Sequence, residues 1–227
     1  MELIYCGGGN RRFAEIAIAH GFLYGSRLPG TVYGPLHFAD QNWRNPDRSK
    51  YMAALAVHRP HMASVLDLES CDQVGEILSW AEEAAQHVNV VMIIPKAFGV
   101  IPALPRRVGN AEVRLGYSVP TSHGGTSVPL WEFDGWPVHL LGGSPHAQMR
   151  LTHYMHVVSA DGNMTMKMAT RLGAFYDPDR RTGRGFWPTL SGYDGQPWGN
   201  GDAPYEAFRR SCEAVMRRWK SNREVTA

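Results

Sequence analysis

Short apolar runs recur along this chain with helix-forming segments between them, and that alternation constrains the fold more than any other feature. The runs are Leu3–Cys6, Phe22–Tyr24, Leu36–Ala39, Met62–Leu66, Val90–Ile94, Val113–Tyr117, Val138–Leu141 and His156–Ser159. They are mostly unbroken rather than alternating, as strands covered on both faces are. Between them, Arg11–His20 places Phe13, Ile16 and Ala17 on one helical face, and Asp72–His87 repeats apolar residues at i, i+3, i+4, i+7. Ser49–Val57, Pro145–Tyr154 and Met164–Leu172 read as further helices. Strand, helix, strand implies right-handed parallel crossovers. About eight such units close a parallel barrel.

The chain has 227 residues, short of the roughly 250 typical of that barrel. Some helices are therefore expected to be reduced to loops, as in 97–112 with Pro102 and Pro105. The expected class is α/β, a reduced (β/α)8 TIM-type barrel; an open doubly wound sheet is the competing architecture. One domain is expected: a barrel core over 1–176, an irregular Gly-, Pro- and aromatic-rich loop over 177–203, and a terminal helix over 204–224.

Hydrophobic residues make up 44% and charged residues 19%, enough apolar material for a core and no basis for global disorder. No run approaches the roughly 20 apolar residues of a membrane span. The start, Met1-Glu2-Leu3-Ile4-Tyr5-Cys6, enters a strand pattern without a basic leader, so a soluble cytoplasmic protein is expected. Cys6, Cys71 and Cys212 are too scattered for a disulfide scaffold or a CxxC zinc site, and no cofactor is expected. Net charge is only +2, but the last helix gathers Arg209, Arg210, Arg217, Arg218, Lys220 and Arg223. Such a cluster either attracts a phosphate backbone or is a solvated helix face.

In a parallel barrel, reactive groups sit at the C-terminal ends of strands. Three runs end in aspartate: Asp40, Asp67 and Asp161. Each alone reads as a helix N-cap. Together on one rim, carboxylates raise one another's pKa and divide acid and nucleophile roles. Lys96 follows the fifth run, and Gly142-Gly143-Ser144 opens a helix that can receive an anion. Gly7-Gly8-Gly9 reads as a tight turn. His58, His61, His139, His153 and His156 lack metal-binding spacing and read as structural or surface residues.

Trp136-Pro137-Val138-His139-Leu140-Leu141-Gly142-Gly143-Ser144-Pro145-His146, followed by His156-Val157-Val158-Ser159-Ala160-Asp161-Gly162-Asn163, resembles the late barrel of the tRNA-guanine transglycosylase superfamily. Phe38-Ala39-Asp40, Val65-Leu66-Asp67 and Leu115-Gly116-Tyr117-Ser118 fall in the family's order, and the resemblance covers roughly 36–169. The family's DSGGFQ-type motif stands here as Asp40-Gln41-Asn42-Trp43, and its VQGG as Ile94-Pro95-Lys96. The cysteine-rich zinc motif of the tRNA enzymes is missing. The chain is thus most similar to the compact DpdA-like 7-deazaguanine DNA transglycosylases of phages and bacterial islands.

The resemblance implies an enzyme that exchanges guanine in DNA, or alternatively in tRNA, for a 7-deazaguanine base. It implies Asp161 as nucleophile, Asp40 as proton shuttle, and Asp67 as reader of the base's N1–H and exocyclic amine. Backbone at Gly116 or Gly142-Gly143 would meet the O6 edge, with Tyr117 or Trp43 stacking on the base. Lys96 and the basic helix would pair with phosphates, and a homodimer or helper protein is a further expected partner. Two other readings stand beside this one. One is an unrelated barrel enzyme for a phosphorylated small molecule, with Gly142-Gly143-Ser144 holding phosphate and Lys96 as catalytic amine. The other is a non-catalytic nucleic-acid-binding module.

Overall fold

The computed structural model describes residues 1–7, 9–122, 124–180, 186–195, 197–199 and 201–226, with backbone alone for 222–226. Its strands are β1 (Glu2–Tyr5), β2 (Leu23–Leu28), β3 (Phe38–Gln41), β4 (Met62–Leu68), β5 (Val90–Pro95), β6 (Arg107–Val108), β7 (Ala111–Ser118), β8 (Val138–Leu141) and β9 (Val157–Gly162). Eight of them run parallel in the order β1-β2-β3-β4-β5-β7-β8-β9. Closure is made by β9 pairing with β1, from Glu2 opposite Ser159 to Tyr5 opposite Gly162. The fold is therefore a closed α/β barrel of TIM type, and the open sheet is excluded. The small β6 lies antiparallel beside β7.

The helices are α1 (Arg11–Ala19), α2 (Arg48–His58), α3 (Val74–Ala84), α4 (Pro145–Leu151), α5 (Met164–Leu172), α6 (Leu190–Asp194) and α7 (Ala203–Thr226). Polar side chains start several of them: Asn10 accepts from the amides of Arg12 and Phe13, Asp47 from Lys50, and Ser144 from Ala147. Among the described residues, the crossovers β2–β3, β5–β7 and β7–β8 carry no α-helix. Of the 177–203 segment, 181–185, 196 and 200 lie outside the described residues, and α6 occupies part of the rest. No helix among the described residues is long and apolar enough to cross a membrane.

Apolar residues pack on both sides of the strands. Ile4, Phe38, Met62, Val90, Met92 and Ile94 form the cluster inside the barrel. Outside, Leu28, Leu55, Ile77, Trp80 and Val113 belong to the large shell between strands and helices. The last helix, α7, covers β1 and α1. Its Tyr205 hydroxyl accepts from Asn10 Nδ2 at 3.2 Å, and its Phe208 ring lies 5.3 Å from Tyr5 and 5.1 Å from Phe13. Further along, Met216, Trp219 and Lys220 line a cavity of about 470 Å³ together with Met1, Glu2, Gly21 and Leu23. Thus α7 runs from the C-terminal mouth of the barrel down to its opposite end.

Candidate active site

Side chains alternate across a strand, and the interior residues therefore predict which neighbours reach the mouth. From Ile4 the alternation leads to Cys6, from Phe38 to Asp40, from Ile94 to Lys96 and from Ser159 to Asp161. Asp67 arrives differently. Met62 and Ser64 share the inner face, and a register shift between Ser64 and Asp67 turns Asp67 inward. The three aspartates meet at one end of the barrel, all partly buried, and Asp40 feels the charge of both Asp161 and Asp67.

Their environments divide them. Burial, and then the Asp161 charge, push Asp40 up to about 7, while Arg27 and the Ser64 hydroxyl oppose the rise. Ser64 Oγ donates to Asp40 Oδ1 at 3.2 Å and accepts from the Gln41 amide at 2.8 Å. Burial also raises Asp67, offset by Lys96, whose Nζ stands 3.5 Å from Asp67 Oδ2. The Cys6 thiol is pushed well above its usual range by burial and by the Asp161 and Asp40 charges. It stays protonated beside them. Asp161 Oδ1 accepts from the Gly142 amide at 3.2 Å and faces His139 Nε2 at 3.5 Å.

Beneath Asp161 a polar line descends through the apolar interior. Ser159 Oγ lies 2.7 Å from His139 Nδ1, and Arg114 Nη1 donates to that same oxygen at 2.8 Å. Because Arg114 supplies only protons, the serine hydroxyl proton is free to go to Nδ1. Nε2 then carries the imidazole proton, directed toward Asp161. Arg114 Nη1 also holds Glu2 Oε2 at 2.8 Å. His139 is wholly buried, and its Nε2 makes no hydrogen bond among the described residues.

Several expected site residues stand elsewhere. Gly116 does face inward, but a β-carbon there would lie 2.8 Å from Ile94 Cγ1 and 2.9 Å from Leu141 Cδ1. Apolar side chains fill the space a base edge would need. Tyr117 points to the opposite side, where its ring packs edge-on against Phe133 at 5.2 Å. Gly142 and Gly143 have φ of +68° and +78°, and Ser144 Oγ is engaged in capping α4. Their turn serves Asp161 through the Gly142 amide and through Gln148 Nε2, which donates to the carbonyls of Gly142 and Asp161. Lys96 is the ion-pair partner of Asp67 rather than a free phosphate ligand.

The basic helix also departs from expectation. Arg209 pairs with Glu206 and Glu213, and Arg210 with Asp194 and Glu206. Arg210 lies over the rings of Phe175, Tyr193 and Trp198 as well. Arg217 and Arg218 are exposed, Arg217 standing 3.5 Å from Asp179, and Lys220 borders the cavity at the far end of the barrel. Arg209, Arg210 and Arg217 thus face acidic partners within the chain, and Lys220 stands at the end remote from the aspartates. Sequence reasoning missed Cys6, Arg27, Ser159, Arg114 and the interior role of His139.

The family described as a family of unknown function (DUF6610) matches residues 18–220. The chain belongs to the DUF6610 family. The DUF6610 match takes in Asp40, Asp67, Lys96, His139 and Asp161, and begins beyond β1 with its Glu2. No curated protein matches the chain.

Proposed function

We propose that this DUF6610 chain exchanges guanine in DNA for a 7-deazaguanine base by double displacement. The observation that carries the reading is the pairing of Asp40, held protonated near neutral pH, with Asp161 at the same barrel mouth. Two carboxyl groups in unlike environments are what an acid-assisted, covalent displacement at an anomeric carbon requires.

In the proposed reaction, Asp161 Oδ attacks C1′ as the C1′–N9 bond breaks. Asp40 gives its proton to the departing guanine, leaving a deoxyribosyl ester on Asp161. The incoming deazaguanine loses its N9 proton to Asp40, N9 attacks C1′, and the ester bond breaks. Both aspartates return to their starting states, and configuration at C1′ is retained. Asp67, with Lys96 beside it, supplies the acceptor for the base's N1–H and amine.

The mouth also favours an extruded nucleotide. Trp43 and Phe98 are exposed on the segments that follow β3 and β5, with Arg44 5.0 Å above the Trp43 ring and Arg27 exposed on β2. Aromatic faces with nearby cations stack bases and hold phosphates. They take the place of the terminal helix in the proposal. The same site accommodates the tRNA reading, and the two polymers are compared directly in the test.

The test is incorporation of labelled guanine into duplex DNA and into tRNA. Exchange into DNA by the wild type, abolished in Asp161→Asn, is the expected result. Exchange confined to tRNA would reassign the polymer. No exchange into either, with a borohydride-trapped substrate on Lys96, would replace this reading by the small-molecule one.

A further inference from the structure

At the end of the barrel remote from the aspartates, three side chains converge. Glu2 opens β1, His37 immediately precedes β3, and His61 immediately precedes β4. One oxygen or nitrogen from each lies within 4.8 Å of the others. The geometry points to a divalent transition-metal site of two imidazoles and one carboxylate, of the kind zinc occupies.

Four features support it. First, His37 Nε2 lies 3.6 Å from Glu2 Oε1. Two ligand atoms at about 2.0–2.1 Å from a tetrahedral zinc stand about 3.4 Å apart, so this pair is already spaced for an ion, and the His61 side chain closes the remaining distance by a side-chain adjustment. Second, that same Nε2 is buried and makes no hydrogen bond among the described residues. A buried imidazole nitrogen without a hydrogen bond is the state a metal ion resolves. Third, the two rings lie face to face, with centroids 4.8 Å apart and planes 25° from parallel, so the two imidazoles stand side by side next to Glu2.

The fourth feature is the surrounding support. Glu2 divides its oxygens: Oε2 takes the Arg114 guanidinium at 2.8 Å, and Oε1 faces His37. Asn89 Nδ2 lies 3.3 Å from His61 Nδ1. Amide oxygen and nitrogen are interchangeable in placement, and with the amide turned its oxygen accepts from Nδ1–H and leaves Nε2 for the ion. Ligating histidines and carboxylates are held by such outer partners. An ion would take Glu2 as a carboxylate and the two histidines as neutral imidazoles. All three ligands are only partly buried, so an ion reaches them from solvent. Three protein ligands leave a fourth position open for water. The sequence hid the site because its ligands are 35 and 24 residues apart, at the starts of separate strands.

The test is calorimetric titration of the chelator-treated full chain with zinc sulfate at pH 7.5. The expected result is one equivalent bound, weakened on the order of 100-fold or more in His37→Ala and in His61→Ala, and less in Asn89→Ala. Circular dichroism confirms that each variant is folded. If a variant does not fold, the wild type is titrated with cobalt(II). A visible d–d band of four- or five-coordinate intensity that zinc displaces is then the expected signature. No zinc binding by the wild type, unchanged binding in both folded histidine variants, or a cobalt spectrum of the hexaaqua ion would overturn the proposal. The readout involves no glycosidic chemistry, so it stands or falls separately from the transglycosylase reading.

Discussion

His139 Nε2 and Asp161 Oδ1 stand 3.5 Å apart, and the imidazole is fixed from behind by Ser159 Oγ at 2.7 Å from Nδ1. The pair joins a wholly buried ring to the partly exposed carboxylate proposed as nucleophile. A donor aimed at a carboxylate in a low-dielectric interior orients it without itself touching the substrate.

Ser159→Ala removes the link between Arg114 and His139. It leaves a buried guanidinium N–H and the His139 Nδ1 without their shared partner. The expected loss is about 1–3 kcal/mol of stability, read by urea denaturation. A loss within experimental error would show that the interior line is not coupled.

Asp40 sets a pH limb. In the unfolded chain it ionises near 3.8, whereas in the fold it holds its proton up to about 7. Between those values the folded state binds more protons, so stability falls as pH rises through the window. Exchange that needs the protonated acid likewise declines as pH rises through about 7. Asp40→Asn should remove the stability slope, measured by denaturation at pH 5 and pH 8, and should be the more stable chain at pH 8.

Gly143→Ala places a methyl 2.7 Å from Val119 Cγ1 at a φ of +78°. The strain is expected to be about 1–3 kcal/mol. It should also move the Gly142 amide off Asp161. Thermal denaturation measures the first effect. Comparing guanine exchange in Gly143→Ala with Gly173→Ala, a positive-φ glycine with open space around it, isolates the second.

Alanine at Arg217, Arg218 and Lys220 together should leave guanine exchange and its salt dependence unchanged, because Lys220 lies at the end remote from Asp161, Arg217 faces Asp179, and Arg218 lines a separate pocket with His153 and Tyr176. Arg27→Ala should weaken DNA binding and lower the salt slope. Fluorescence anisotropy at several salt concentrations distinguishes the two. Arg210→Ala acts instead through folding, since it releases Asp194 and Glu206 from their pairs.

The strands were legible because unbroken apolar runs bounded by turns mark them, and the closed barrel followed from their number. Which face each residue takes was not. A strand buried on both sides carries no alternation, so nothing in Leu115-Gly116-Tyr117 says that Gly116 looks inward and Tyr117 outward. Asp67 joins its partners only because of a local register shift in β4, which no pattern announces. For α7 the signal was available. Glu206, Arg209, Arg210 and Glu213 stand three and four residues apart, the spacing at which helical charges satisfy one another. The interior role of His139 is not legible, because a single histidine in an apolar strand gives no hint of Ser159 across the neighbouring strand.

The most direct check on the central claim is intact-mass and peptide analysis of the chain denatured after incubation with a guanine-containing oligodeoxynucleotide. A mass increase mapping to the peptide that carries Asp161, absent in Asp161→Asn, is the predicted result. An adduct that survives in Asp161→Asn, or one that maps to another residue, would contradict it.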